Sequence, residues 1–177
     1  DGFGEQQVIT TNDNDAVALG DLDGDGDPDM LSASFGNDTI AWFENQVGES
    51  EADEDGFGVQ QDITLTVSGA RSMASGDLDG DGDPDVLSAS SEDGKIAWYE
   101  NQVGESGGDS DGFGDQQVIT TDADGAQSVA VGDLDGDGDP DVLSASSEDV
   151  KIAWYENQVG ESGGDSDGFG DQQVITT

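Results

Sequence analysis

The run Asp-Leu-Asp-Gly-Asp-Gly-Asp-Pro-Asp occurs three times, starting at Asp21, Asp77 and Asp133. In a turn of this length, carboxylates at positions 1, 3, 5 and 9 point inward and position 7 offers its backbone carbonyl. The glycine at position 6 permits the sharp bend, the logic that also shapes the start of an EF-hand loop. Proline at position 8 stiffens the exit toward the closing carboxylate. The candidate ligands are therefore Asp21, Asp23, Asp25, Asp27 and Asp29, then Asp77, Asp79, Asp81, Asp83 and Asp85, then Asp133, Asp135, Asp137, Asp139 and Asp141. All are oxygen donors, which favours Ca²⁺ over Zn²⁺, and a flexible multi-ligand loop favours it over Mg²⁺. One ion per repeat, three in total, is the expectation. Two like charges about 4 Å apart repel by roughly 1 kcal/mol in water and roughly 4 kcal/mol at an effective dielectric of 20. Four converging carboxylates make several such pairs, so an empty loop should splay. The competing reading is a solvated acidic turn, because Asp and Gly favour turns on their own. Three copies with one ligand order argue against it.

The elements that must position these loops repeat with them. Gly-Asp-Leu-Asp begins at Gly20, Gly76 and Gly132, and Ile-Ala-Trp at Ile40, Ile96 and Ile152, in each case 56 residues apart. Asp-Gly-Phe-Gly begins at Asp1, Asp55, Asp111 and Asp167, so the sequence ends in the phase in which it starts, as a segment of a longer array would. Each period reads as four short strands. In the third copy these are predicted over 128–131, 142–146, 152–156 and 172–176, with the aspartate run between the first two and a tight turn at 148–150. Ile152 and Trp154 share one face of the third strand and Ala153 and Tyr155 the other, so this strand is expected to be covered on both sides. Helical spacing is absent. The class is all-β, with four-stranded antiparallel blades of β-propeller type in three tandem repeats plus one extra outer strand. The expected organisation is an outer strand over 1–11 and blades over 12–66, 67–122 and 123–177. Stacked blades would bury Trp42, Trp98 and Trp154 between neighbours. Core packing outweighs a sugar-stacking role for them, since each lies mid-strand beside an Ile.

Composition narrows the function. Against 43 Asp and Glu stand 3 Lys and Arg, a net charge of −40, with no His and no Cys. Nucleic acid and anionic lipid both need clustered basic residues, which are missing. Disulfides, thiolate chemistry and imidazole catalysis are excluded, and no apolar run is long enough to span a bilayer. No pair among the acids is singled out for glycosidase work. The chain is read as non-enzymatic. Such a charge destabilises a compact state by self-repulsion, which salt and bound cations relieve. Three divalent ions would cancel only six of forty negative charges. A salt requirement is therefore expected to persist with the metal bound. This points to a calcium-rich or saline exterior, and to an extracellular or cell-surface protein of a marine or halophilic microbe.

The three DLDGDGDPD runs, the IAWFEN or IAWYEN strand and the DGFG…QQVITT segment resemble the FG-GAP/VCBS repeat family, the blades of integrin α-subunit propellers and of many bacterial surface proteins. The resemblance covers essentially the whole chain. It implies a β-propeller with Ca²⁺ in the hairpin loop joining the first two strands of a blade. It also implies roles in adhesion, ligand or sugar binding, and extracellular scaffolding. The expected partners are other copies of the chain or further blades of a longer parent, with self-assembly into rings or filaments, and a protein or glycan ligand. The alternative reading is a calcium-dependent, lectin-like propeller. The first copy departs from the others in being two residues shorter before its loop. Three blades are also fewer than the roughly 4 to 8 of closed propellers.

Overall fold

A computed structural model describes residues 6, 8–10, 14–48, 56–105, 112–160 and 168–176. The strand expected over 1–11 lies mostly outside these residues, and residues 6 and 8–10 belong to no strand. The described residues form twelve strands in three antiparallel sheets of four, each built from consecutive strands. The first blade contains β1 (Ala16–Gly20), β2 (Asp29–Ser34), β3 (Thr39–Phe43) and β4 (Gln61–Thr64). The second contains β5 (Ala70–Gly76), β6 (Asp85–Ser90), β7 (Lys95–Tyr99) and β8 (Gln117–Thr120). The third contains β9 (Ala126–Gly132), β10 (Asp141–Ser146), β11 (Lys151–Tyr155) and β12 (Gln173–Thr176). The strands predicted for the third copy match these within two residues at each end.

Register follows from the hairpins. Gly20 pairs with Asp29, Gly76 with Asp85 and Gly132 with Asp141, so each aspartate run closes a β-hairpin at its first and last positions. The two-residue deletion in the first copy is absorbed at the far end of that hairpin. β5 and β9 carry a register shift near Ala70 and Ala126, whereas β1 is shorter and pairs with β2 without one. The loop end is thereby kept identical in all three blades.

Both faces of each sheet are apolar, and stacking follows from that. Leu31, Ala33, Ile40, Trp42 and Ile63 on one face of the first blade form a buried cluster with Met73, Val86, Tyr99 and Phe113 on the facing side of the second. Leu87, Ala89, Ile96, Trp98 and Ile119 of the second pack in the same way against Val129, Val142, Tyr155 and Phe169 of the third. Burying each of these larger side chains contributes about 1.5–3 kcal/mol, so the two inter-blade layers carry the fold.

The approach between blades is close at one repeated glycine. A Cβ on Gly20 would meet Ser75 Oγ at 2.7 Å, and one on Gly76 would meet Val131 Cγ1 at 2.8 Å, whereas one on Gly132 would meet nothing within 4 Å. The third blade differs in the same sense at its third strand. Trp154 is half-buried and Ile152 is 43% exposed, whereas Trp42, Trp98, Ile40 and Ile96 are buried. The expectation that β11 is covered on both faces, with Trp154 between neighbours, therefore fails. Its Ala153 and Tyr155 face is covered by the second blade, and its Ile152 and Trp154 face has no blade against it among the described residues.

These environments separate three glycines that the sequence makes equivalent. Gly76→Ala is expected to destabilise the chain by about 1–3 kcal/mol through overpacking, and Gly132→Ala to leave the melting temperature of the single chain unchanged. Thermal melts of the two variants at low protein concentration check this.

Candidate metal centre

The three aspartate loops span the β1–β2, β5–β6 and β9–β10 hairpins. Within them, carboxylate oxygens of Asp21, Asp23 and Asp29 lie within 4.8 Å of one another, as do those of Asp77, Asp79 and Asp85 and those of Asp133, Asp135 and Asp141. Positions 1, 3 and 9 of each run therefore converge. Positions 5 and 7, which are Asp25 and Asp27, Asp81 and Asp83, and Asp137 and Asp139, lie outside these groups and are exposed. Asp81 and Asp83 gather instead with Glu105 in a second, fully exposed acidic group.

Local hydrogen bonds shape the loop before any ion is considered. Asp25 N donates to Asp23 Oδ1 at 3.2 Å and Asp27 N to Asp25 Oδ1 at 2.8 Å, and the same two bonds recur in the other loops. Each aspartate thus caps the backbone two residues on, the preferred local partner for this side chain. Gly26, Gly82 and Gly138 take φ of 99°, 106° and 106°. This is the left-handed bend expected at position 6, where a side chain would be strained.

Position 9 does more than close a ligand set. Asp29 is 1% exposed, as are Asp85 and Asp141. Asp29 Oδ2 accepts from Leu22 N at 2.8 Å and its Oδ1 from Asn45 N at 2.8 Å. Asp85 accepts from Leu78 N and Asn101 N, and Asp141 from Leu134 N and Asn157 N, at 2.8–2.9 Å. One carboxylate therefore ties the start of the loop to the residue two places beyond the third strand. Each carboxylate oxygen has two lone-pair sites, so accepting one N–H still leaves room for a further partner.

The asparagines in this clamp escaped the reading of single residues. Asn101 Nδ2 donates to Pro84 O in its own blade and, at 2.8 Å, to Leu22 O in the loop of the first blade. Asn157 Nδ2 does the same with Pro140 O and Leu78 O. Asn45 Nδ2 donates to Pro28 O of its own blade. The only signal for them was their fixed place in the repeated IAWFEN and IAWYEN phrases.

The electrostatics are those of a charge held against its preference. Burial, more than any other effect, pushes the Asp85 carboxyl up to about 7, against the lowering effect of its two N–H donors and with further help from Asp79 and Asp81. Burial raises Asp29 in the same way, with Asp25 adding to it. Asp23 and Asp79 are also raised, first by burial and then by neighbouring carboxylates, with Glu44 and Glu100 among them. Asp21 Oδ1 is buried and accepts no hydrogen bond. Convergent oxygens, depressed acidity and an orphaned carboxylate oxygen together fit a hard divalent cation.

A family model for the FG-GAP-like repeat matches residues 21–88 and 77–144, each stretch running from one aspartate loop into the second strand of the following blade. Neither the curated proteins nor the solved structures contain a match to this chain.

The clamp and the ligand set are separable by mutation. Asp85→Ala and Asp79→Ala each remove one carboxyl group, but only the first strips two buried N–H groups of their acceptor. At about 1–3 kcal/mol for each buried unsatisfied group, Asp85→Ala should be the less stable by roughly 2 kcal/mol or more in urea denaturation with chelator present. Equal stabilities would show that position 9 serves the metal alone.

Proposed function

Because the chain belongs to the FG-GAP-like repeat family, we propose that it is a non-enzymatic, calcium-stiffened repeat module that serves as a scaffold or adhesion unit outside the cell. The observation that carries this reading is the threefold convergence of oxygen ligands at one end of each blade. In each loop, positions 1, 3 and 9 would hold Ca²⁺, which is Asp21, Asp23 and Asp29, Asp77, Asp79 and Asp85, and Asp133, Asp135 and Asp141. The side chain at position 5 (Asp25, Asp81, Asp137) and the backbone carbonyl at position 7 (Asp27, Asp83, Asp139) would complete the shell. Three ions in total follow. The ion's contribution is neutralisation at a point where carboxylates already crowd, and with it rigidity of the hairpin that each blade presents to the next. An extracellular setting would suit this role, since millimolar calcium suits sites tuned as structural staples. No helix of the described residues is long and apolar enough to cross a membrane.

A second reading, carbohydrate binding, draws on two equivalent crevices at the blade junctions. One of about 210 Å³ is lined by Thr64, Tyr99, Phe113 and Gln116, and one of about 420 Å³ by Thr120, Tyr155, Phe169 and Gln172. In each, a Gln amide donates to the Tyr hydroxyl, at 2.6 and 2.7 Å. Selective binding on a glycan array in calcium would favour this reading over a purely structural role.

Calcium as the staple predicts a melting temperature that falls when chelator replaces millimolar Ca²⁺. Each site would contribute about 2.7 kcal/mol at a hundredfold excess over its dissociation constant. Changing Asp23, Asp79 and Asp135 together to Asn should remove the calcium dependence while leaving the chelated melt in place. A wild-type melt indifferent to chelator would overturn the proposal.

A further inference from the structure

We propose that the chain docks head to tail with a second copy of itself, the open face of its third blade seating against the open face of its first. The inference stands on the inter-blade contacts and not on metal binding.

The two internal junctions define what such a contact requires, and the two blade faces left uncovered among the described residues each hold one half of it. On the side that meets a following blade, Leu22 and Leu78 are each 2% exposed, Ile40 and Ile96 are 0%, and Ile63 and Ile119 are 6% and 8%. Their counterparts in the third blade are Leu134 at 49%, Ile152 at 43% and Ile175 at 58%. On the side that meets a preceding blade, Met73 and Val129 are both 7% exposed, while Val131, Val103 and Val159 pack against the clusters. Their counterparts in the first blade are Val17 at 69%, Leu19 at 64% and Val47 at 64%. The bare apolar positions of the first blade are thus Val17, Leu19 and Val47, whereas Phe43, the counterpart of Tyr99 and Tyr155 on the same side, is buried. Several large apolar side chains exposed on one face of a blade mark an interaction site.

Shape and hydrogen bonding fit the same partner. Ser75 fills the space over Gly20 and Val131 the space over Gly76, while Gly132 is open. Leu19 stands at the position of Ser75 and Val131, and in a second copy it would cover Gly132. Asn101 and Asn157 each reach back to a loop leucine carbonyl in the preceding blade, Leu22 and Leu78. Asn45 is held in the same way by Pro28 O but has no preceding loop to reach among the described residues. In the docked pair its Nδ2 would donate to the Leu134 carbonyl. Because the two surfaces differ, the contact is heterologous and can repeat, giving rings or filaments. Each copy carries a net charge of −40, so association should strengthen as salt screens the repulsion.

Sedimentation velocity on the full chain, at rising concentration in calcium with low and high NaCl, tests this. The expected result is species at multiples of the single-chain mass, favoured by salt. Gly132→Ala should weaken association by about tenfold, equivalent to ~1.4 kcal/mol, without lowering the melting temperature of the monomer. Ile152→Glu and Val17→Glu chains should each be monomeric. Mixed together they should form one-to-one pairs and nothing larger, since each retains one intact face. A wild-type chain that stays monomeric throughout overturns the proposal. So does a Val17→Glu chain that still self-associates, which would mean that like faces meet instead.

Discussion

Everything in this structure hangs on a buried carboxylate that must be surrounded by donors. Desolvating an ionised Asp without compensation is prohibitive, and Asp29, Asp85 and Asp141 are 1% exposed. Each resolves the problem with two backbone N–H groups, one from the loop leucine and one from the asparagine beyond the third strand. That pair of bonds fixes the hairpin and aims the asparagine side chain. The asparagine then bonds to the loop leucine of the blade before it. Local satisfaction of one charge thereby becomes a chain of hydrogen bonds that runs across the blades, from Asp141 and Asn157 through Leu78, Asp85 and Asn101 to Leu22 and Asp29.

The metal-binding reading gains its physical sense from this chain. Two donors do not fully compensate burial, as the raised Asp85 carboxyl shows. The loop also brings further carboxylates to the same place at positions 1 and 3. Hydrogen bonds alone would build such a turn with a neutral residue at position 9. Adding negative charge next to a carboxylate already held against its preference makes structural sense only where a cation offsets it. The clamp and the ligand set therefore share one residue, and the same hairpin that packs a blade onto its neighbour is the one that a bound ion would stiffen.

Periodicity made the strands, the hairpin loops and the blade count legible, because a repeat of 56 residues with an unchanged order of Ile, Trp, Gly and Asp admits few arrangements. The bend at Gly26 and the convergence at positions 1, 3 and 9 were legible for the same reason. Two things were not. The role of Asp29 as a backbone clamp depends on its distance from Asn45, which adjoins it only after the third strand has folded back. The exposure of Ile152 and half-exposure of Trp154 depend on what stands beside a blade, and three near-identical copies cannot encode that difference. A repeated sequence specifies each unit and each junction, but it treats end units and middle units alike.

That last property has an energetic consequence. In a stacked array, stability is close to a sum of unit terms and nearest-neighbour terms, and end units ordinarily carry polar faces that replace the missing neighbour. A blade of about fifty residues is too small to bury enough apolar surface by itself, so the junctions must carry the fold. Here the end faces keep Leu134, Ile152 and Ile175 at one side and Val17, Leu19 and Val47 at the other. Among the described residues neither face carries capping substitutions, so each exposes apolar side chains of half a junction. Self-repulsion from the net charge of −40 opposes closing the gap. The balance between these two terms, one short-ranged and apolar and the other long-ranged and screened by salt, decides whether such a face stays bare or is covered by a further blade.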